Sequence, residues 1–96
     1  MPINPGALVR TKLHLLVVFS AVVETGSVSG AADMLSLSQP AVSHSLGKLR
    51  QMFDDRLFLR RHNELVLTPR AETLVQPVRT FLTHAQALLQ PTSRAA

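Results

Sequence analysis

Cysteine, tryptophan and tyrosine are absent from this sequence of 96 residues, and phenylalanine occurs four times. Without cysteine, disulfides, thiolate zinc sites and thiol nucleophiles are excluded, and the reducing cytoplasm is the expected compartment. With so few aromatic rings, the chain has little with which to stack the bases of a single-stranded nucleic acid. Its length allows one domain and argues against a catalytic domain with a deep pocket.

Long apolar runs are missing as well. Residues 15–19 and 21–23 form the longest run, about half of the roughly 20 residues that are needed to span a bilayer. Arg10 and Lys12 precede this run, but residues 24–27 are a poor cleavage site, so we do not expect a signal peptide. We therefore expect no association with a membrane.

Positive charge is in excess, because ten Lys and Arg residues against six Asp and Glu residues give a net charge of +4 with His neutral. A basic protein suits an anionic partner, and here double-stranded nucleic acid fits better than a single strand. The four histidines are too scattered to indicate a metal site; they are His14, His44, His62 and His84. Ser43 precedes His44, but neighbours on a helix point about 100° apart, so no nucleophile and base are paired. We expect no enzyme activity and no cofactor.

The spacing of apolar residues predicts a first helix between residues 12 and 25, ended by Gly26. Ser27 or Ser29 can cap a short second helix, which is expected to stop near Ser36. A third helix is predicted over about residues 38–54, with Ser38 as its cap. The inner stripe of this third helix consists of Val42, Leu46 and Leu49.

The other face of the third helix is polar and has no acid before Asp54. It carries Gln39, Ser43, His44, Gly47, Lys48 and Gln51. A helix, a tight turn and a second helix with such a face is the layout of helix-turn-helix proteins that bind DNA.

Residues 57–68 are predicted to form a β-hairpin, the wing, because two short strand-like segments flank a turn at residues 61–64. A long helix follows over residues 69–90, with Thr68 as its cap. Pro77 is expected to kink this helix or to loosen the bond to the Thr73 carbonyl. Its apolar stripe consists of Leu74, Val78, Phe81, Ala85 and Leu88. A helix about 30 Å long overhangs so small a domain, which favours dimerisation through this stripe over packing on the chain's own body. The predicted organisation is a flexible lead-in (1–11), a winged helix-turn-helix domain (12–68), a linker and dimerisation helix (69–90) and a tail (91–96).

From about residue 12 to residue 90 the sequence resembles the N-terminal DNA-binding domain of LysR-type transcriptional regulators. The residues that carry the resemblance form a long ordered set: Phe19, Gly26-Ser27-Val28-Ser29, Ala31-Ala32, Leu35, Ser38-Gln39-Pro40-Ala41-Val42-Ser43, Leu49, Leu57-Phe58, Arg60 and Leu67-Thr68. The resemblance implies a mainly α, winged helix-turn-helix fold and a homodimer on an interrupted palindrome near a promoter, with a tetramer as an option for a full-length protein. Family members also carry a C-terminal effector-binding domain, which this chain lacks, so the resemblance implies either a fragment, which we favour, or a regulator without a sensor.

The sequence departs from the family pattern at a few positions. The family usually has Glu where this chain has Arg50, and Gly where it has Asp54. It has Ala-Gly in place of Arg70-Ala71, and often a basic residue at the wing position of Asn63. These departures concern the helix caps and the wing, and they leave the predicted fold unchanged.

The candidate contacts to DNA follow from the motif and from side-chain chemistry. Base contacts are expected from Gln39, Pro40, Ala41 and His44. Phosphate contacts are expected from Ser27, Ser29, Ser38, Ser43, Lys48 and Arg50, and wing contacts from Arg60, Arg61, His62 and Asn63. For the serines helix capping is an equal alternative, and for the single cations so is plain solvation. Arg56 is expected to pair with Asp54 or Asp55 instead.

We therefore predict a sequence-specific DNA-binding domain of a transcription regulator, located in the cytoplasm on the nucleoid. The alternative is a winged-helix module that binds a protein partner through the same helix and hairpin. The exposed face of the third helix distinguishes the two, because Gln39, Ser43, His44 and Lys48 offer little of the apolar area that protein partners need.

Overall fold

The computed structural model describes residues 4–6 and 12–90. Four helices and one hairpin follow each other in the order α1 (His14–Thr25), α2 (Val28–Leu35), α3 (Gln39–Phe53), β1 (Phe58–Arg61), β2 (Glu64–Leu67) and α4 (Pro69–Leu89). The predicted mainly α, winged helix-turn-helix fold with a long last helix is confirmed. The predicted tail, and the lead-in apart from residues 4–6, lie outside the described residues.

The ends of α1 and α2 are set by local chemistry that the sequence indicates. Gly26 ends α1 in the left-handed conformation with φ +74°, and its N–H donates to the Val22 carbonyl at 2.8 Å. Of the two candidate caps for α2, Ser27 is the one used, because its Oγ accepts the Gly30 N–H at 2.9 Å. Ser36 ends α2 with φ +56°. The connection from α2 to α3 is therefore tight.

The hydrophobic core is built mainly from α1, α2 and α3. The predicted inner stripe of α3 is confirmed, since Val42, Leu46 and Leu49 are all buried. Phe19 of α1 packs against Phe58 of β1 with the ring centroids 5.5 Å apart. The other buried residues of the core are Leu15, Val18, Ala21, Val22, Ala31, Ala32, Leu57, Ala71 and Val78. This core fixes α3 with its polar side outward.

The hairpin has a tighter turn than the sequence suggested. Arg61 pairs with Glu64 in the antiparallel register, so the turn consists of two residues. The predicted hairpin turn at residues 61–64 is confirmed in position, but Arg61 and Glu64 also pair as the end residues of the two strands. His62 and Asn63 have φ values of +49° and +68°, which is the geometry of a two-residue turn that matches the twist of the strands. Asparagine tolerates this left-handed conformation better than most residues.

A hydrogen-bond network at the base of the hairpin joins α3, β1 and α4. The Thr68 hydroxyl donates to Asp55 Oδ2 at 2.6 Å and accepts the Ala71 N–H at 3.1 Å, which caps α4 as predicted. The same carboxylate oxygen accepts the Leu57 N–H at 2.8 Å. The bond from Thr68, followed by the bond from Leu57, lowers the pKa of the Asp55 carboxyl below its ordinary value. Asp54 takes the left-handed end of α3, with φ +50°.

The last helix, α4, packs on the body over its first half and leaves it over its second half. It continues through Pro77 to Leu89, so the proline does not end it. Arg70 lies over the Phe53 ring of α3, with Cζ 5.9 Å from the centroid. Val78 is 6% exposed and belongs to the core of the single chain, so the prediction that it lies on an uncovered stripe was wrong.

The rest of the predicted stripe divides in the same way along the helix. Leu74 is half-buried against the core. Phe81 is 41% exposed, Ala85 is half-buried and Leu88 is 85% exposed. The contacts of α4 with α1 decide this division, and they depend on how the helix lies on the body rather than on its own sequence. Among the described residues, no helix has both the length and the apolar composition to cross a membrane.

Candidate nucleic-acid interface

The beginning of α3 presents a group of side chains away from the core. Gln39, Pro40, Ser43 and His44 are all exposed, while Val42 between them is buried. Ser38 caps the helix, since its Oγ accepts the Ala41 N–H at 3.2 Å. The structure thus brings three of the four predicted base contacts to one accessible surface. We call the set Gln39, Pro40, Ser43 and His44 the α3 face.

Of the other predicted contact residues on α3, Arg50 is exposed, whereas two are less accessible. Ala41 and Lys48 are both half-buried. They lie seven residues apart, so they share one side of the helix, next to the α3 face. A long lysine side chain can still reach outward from such a position, because its stem packs and its ammonium group stays in water. Ala41 has no such reach.

α3 carries positive charge and no negative charge. No acidic residue occurs between Gln39 and Phe53, and the acidic Asp54 follows the last turn. Lys48 and Arg50 supply two positive charges in the second half of the helix. An anion that approaches α3 from the solvent side therefore meets no carboxylate of this helix.

The serines near the helix starts have mixed roles. Ser27 and Ser38 cap α2 and α3 through their oxygens, as the capping alternative proposed. A hydroxyl that accepts one bond still carries a proton to donate, so neither role excludes a phosphate contact. Ser29 is exposed in the first turn of α2.

The wing projects four polar side chains into solvent. Arg60, Arg61, His62 and Asn63 are all exposed. The hairpin is attached to the body through the Leu65 N–H, which donates to the Gly26 carbonyl at 3.3 Å. This bond fixes the wing relative to the turn between α1 and α2.

Arg56 lies in a position that the sequence did not indicate. The expected ion pair with Asp54 or Asp55 is wrong, because within residues 4–6 and 12–90 the ion pair found is that of Arg79 with Glu24, at 3.7 Å. Asp55 is engaged by the Thr68 hydroxyl and the Leu57 N–H instead. Since Thr68 is thirteen residues away in the chain, no local signal could have revealed this partner.

A second surface lies between α1 and the second half of α4. It is an open groove of about 790 Å³ with mostly apolar walls. Val17 of α1 is 39% exposed beside it, and Leu89 at the end of α4 is 84% exposed. The groove is also lined by Ser20, Glu24, Arg79, Leu82, Thr83, Ala85, Gln86 and Gln90. It is distinct from the α3 face.

Metal ligands are not gathered in the described part of the chain, where no group of three His, Cys, Asp or Glu side chains could hold an ion. His44 and His62, for example, belong to α3 and to the hairpin turn. The polar groups of the α3 face are donors and neutral acceptors without an acid to activate them. This arrangement suits binding through hydrogen bonds.

The sequence is similar to those of nodulation proteins D from two bacteria. The chain is 47% identical over 74 residues to Nodulation protein D 3 of Mesorhizobium japonicum, an alignment that covers 77% of this chain and 25% of the relative. It is also 47% identical over 74 residues to Nodulation protein D 1 of Rhizobium tropici, covering 77% of the chain and 24% of the relative. The chain thus spans about a quarter of the length of these curated relatives.

Solved structures with the same fold include a probable transcriptional regulator from Pseudomonas aeruginosa, at a TM-score of 0.82 and 43% identity over 86% of this chain and 28% of that one. A complex of the BenM DNA-binding domain with catB site 1 DNA gives a TM-score of 0.76 at 28% identity, covering 82% of this chain and 89% of that domain. Residues 13–72, more than half of the chain, match the family described as bacterial regulatory helix-turn-helix protein, lysR family. The chain therefore belongs to the LysR family of bacterial helix-turn-helix regulators.

Proposed function

We propose that this chain binds double-stranded DNA in a sequence-specific manner, with α3 in the major groove, as part of a transcription regulator on the nucleoid in the cytoplasm. The observation that carries the proposal is the α3 face, which exposes Gln39, Ser43 and His44 together and contains no acid. Two similar domains support it, because BenM and CbnR were solved as complexes of their DNA-binding domains with DNA.

Three residues of the α3 face, Gln39, Pro40 and His44, can each contact a base pair. The amide of Gln39 can donate to and accept from the edge of an adenine, which requires both of its polar atoms to be accessible. Pro40 and, to a lesser extent, the half-buried Ala41 can contact thymine methyl groups. His44 can donate to a purine N7 or to an adjacent phosphate. These contacts would give the protein its preference among sequences.

Phosphate contacts would position the domain on the duplex. Ser38 and Ser43 have hydroxyl protons to donate from the start of α3, and Ser27 and Ser29 can do the same from α2. Lys48 adds a charge at the flank of the α3 face. The wing residues Arg60, Arg61, His62 and Asn63 would lie on the neighbouring groove or its phosphates.

Two copies of the chain would assemble through the exposed apolar side chains in the second half of α4 and the adjoining groove between α1 and α4. Phe81, Ala85 and Leu88 of the predicted stripe point away from the core to a greater degree than Val78, and the exposed Val17 and Leu89 extend the apolar area. Exposed apolar surface of this kind is stabilised by burial against a second surface. A two-fold dimer would present two α3 helices to one side of the duplex, which leads to an interrupted palindrome with half-sites about one helical turn apart or a multiple of it.

Substitution of Gln39 by alanine tests the reading of bases. We expect Gln39→Ala to lose about 1–3 kcal/mol of binding free energy on the preferred site and much less on random duplex, because the lost contact carries base information. Fluorescence anisotropy with both duplexes measures the two losses. Gln76→Ala, which removes the same exposed amide from α4, is the matched control and should bind both duplexes as the unaltered chain does. An equal loss on both duplexes would show that Gln39 does not read a base.

A further inference from the structure

A small open cleft lies between α3 and the β-hairpin, directly beside the α3 face. Its volume is about 220 Å³, below the roughly 300–1,000 Å³ of pockets that take small organic ligands. Ser43 and three arginines, Arg50, Arg56 and Arg60, line it, and Leu46 and Leu65 contribute apolar walls. A cleft of this size and composition suits one compact anionic group.

The cleft concentrates positive charge that the protein itself does not neutralise. Arg50 comes from α3, Arg56 from the loop that follows it and Arg60 from β1, and no acidic residue lines the cleft. In the part of the chain that the structure describes, none of the three forms an ion pair. Like charges brought together repel each other, and the repulsion is relieved when an anion binds between them.

The two acidic residues directly before Arg56 in the chain do not serve this purpose. Asp55 precedes Arg56 in the chain, but its carboxylate accepts bonds from the Thr68 hydroxyl at 2.6 Å and from the Leu57 N–H at 2.8 Å. These bonds direct it to the base of the hairpin. Asp54, which ends α3, is exposed and is not among the residues that line the cleft.

One donor of the cleft, the Arg50 guanidinium, is held in place before any ligand arrives. Arg50 Nε donates to the Arg56 carbonyl at 2.9 Å, which fixes the plane of the guanidinium and leaves its terminal nitrogens to donate. Ser43 lies two helical turns before Arg50, on the same side of α3. Its hydroxyl therefore adds a neutral donor to the cleft that the fixed guanidinium also lines. The planar fork of arginine matches the oxygens of a phosphate group.

We infer that this cleft holds one backbone phosphate of the bound duplex, shared by Arg50, Arg56 and Arg60. The inference rests on the proposed DNA binding and goes beyond it, because it joins three cations from separate elements in one phosphate site. Ser43 belongs both to the α3 face and to the cleft, so a strand that runs past the α3 face passes the cleft opening. The site clamps the backbone between α3 and the wing.

The test compares neutralised variants by their salt dependence. The affinity for a random-sequence duplex is measured by fluorescence anisotropy over a series of KCl concentrations, with the number of bound protomers determined by sedimentation. Variants are Arg56→Gln, Arg50→Gln, Arg60→Gln and the double variant of Arg50 and Arg60. Arg56→Gln and Arg60→Gln should leave the fold intact, because neither side chain has a hydrogen bond or ion pair within residues 4–6 and 12–90. Lys12→Gln, exposed and outside the cleft, is the control for net charge.

A shared phosphate makes a specific prediction for the double variant. Each neutralised phosphate contributes about 0.9 to the slope of log affinity against log salt. Because the cleft of each protomer would bind one phosphate, each single variant should lower the slope by no more than about 0.9 per protomer. The double variant should also lower it by about 0.9 per protomer. A fall of about 1.8 in the double variant would show two separate phosphates and overturn the shared site. Variants that bind like Lys12→Gln would overturn it as well.

Duplex binding by the unaltered chain distinguishes failure of the cleft proposal, which rests on the proposed function, from failure of that function itself. If the unaltered chain fails to bind duplex, the proposed function fails; if it binds and the cleft variants bind equally well, the cleft proposal alone fails. Inorganic phosphate is the probe for a free anion, monitored through the arginine Nε–H resonances in the ¹⁵N spectrum. We expect duplex to shift these resonances at concentrations at which inorganic phosphate does not. The reverse order would assign the cleft to a free anion and overturn its role in DNA binding.

Discussion

Thr68 is the residue at which a single atom affects both the hairpin and the last helix, and its replacement by valine gives a well-defined prediction. Valine keeps the shape of threonine and removes the hydroxyl that accepts the Ala71 N–H and donates to Asp55. Loss of an N-cap costs about 0.5–2 kcal/mol of unfolding free energy. Ala71 is 0% exposed, so water cannot replace the lost acceptor, and we expect the upper half of that range, about 1–2 kcal/mol.

Urea unfolding followed by circular dichroism measures this loss. Thr80→Val, at an exposed position of the same helix, is the matched control and should stay within about 0.5 kcal/mol of the unaltered chain. For a domain of this size a loss of 1 kcal/mol lowers Tm by about 4–8 °C, which thermal unfolding can check. If Thr68→Val is as stable as Thr80→Val, the network at the hairpin base does not stabilise the fold.

The same variant carries a pH dependence with a definite sign. The bond from Thr68 is the largest cause of the lowered pKa of Asp55 in the folded chain. A carboxyl whose pKa is lower in the folded than in the unfolded state adds stability above its unfolded pKa of about 3.9, and this stability is lost as pH falls through the folded pKa. The difference in stability between the unaltered chain and Thr68→Val should therefore narrow below about pH 4. A difference that is constant from pH 7 to pH 3 would contradict this.

Two further predictions concern packing and assembly. A Cβ on Gly30 would lie 2.8 Å from Thr25 Cβ, so Gly30→Ala should destabilise the fold by about 1–3 kcal/mol in urea unfolding. A Cβ on Gly47 would have nothing within 4 Å, so Gly47→Ala should be neutral or stabilise the fold by up to about 1 kcal/mol. If both glycines tolerate alanine equally, the close contact at the start of α2 is not rigid. In sedimentation at micromolar concentration we expect the unaltered chain to be a dimer and Leu88→Glu, at an 85% exposed position, to be a monomer. Leu88→Glu should also lose far more affinity for a full palindrome than for a half-site. A monomeric unaltered chain that still binds the palindrome tightly would defeat the dimer proposal; Phe81→Glu is the second variant, and Thr80→Glu the control.

The sequence predicted those features that depend on neighbours in the chain. Gly26 and Ser38 act through hydrogen bonds within four residues, so their roles at the ends of α1 and α3 can be read locally. The stripe of Val42 and Leu49 follows from helical periodicity. The α3 face follows in turn, because the residues opposite a buried stripe must face solvent.

Features that depend on distant parts of the chain could not be predicted. Val78 is buried because α4 rests on α1, and nothing in the sequence of α4 distinguishes it from Phe81, which stays partly exposed. Asp55 turns to Thr68 rather than to Arg56 because the fold places the start of α4 beside the hairpin base. Arg56, which has no ion pair among the described residues, lines the cleft between α3 and the hairpin.

The most direct test of the central claim is a selection of duplexes from a random library by the unaltered chain, followed by sequencing of the bound fraction. The account predicts enrichment of an interrupted palindrome, with half-sites separated by about one helical turn or a multiple. It also predicts that Gln39→Ala relaxes the preference at one position in each half-site while the spacing stays the same. A bound fraction with no sequence in common, selected from a library that the chain binds well, would contradict sequence-specific reading by α3.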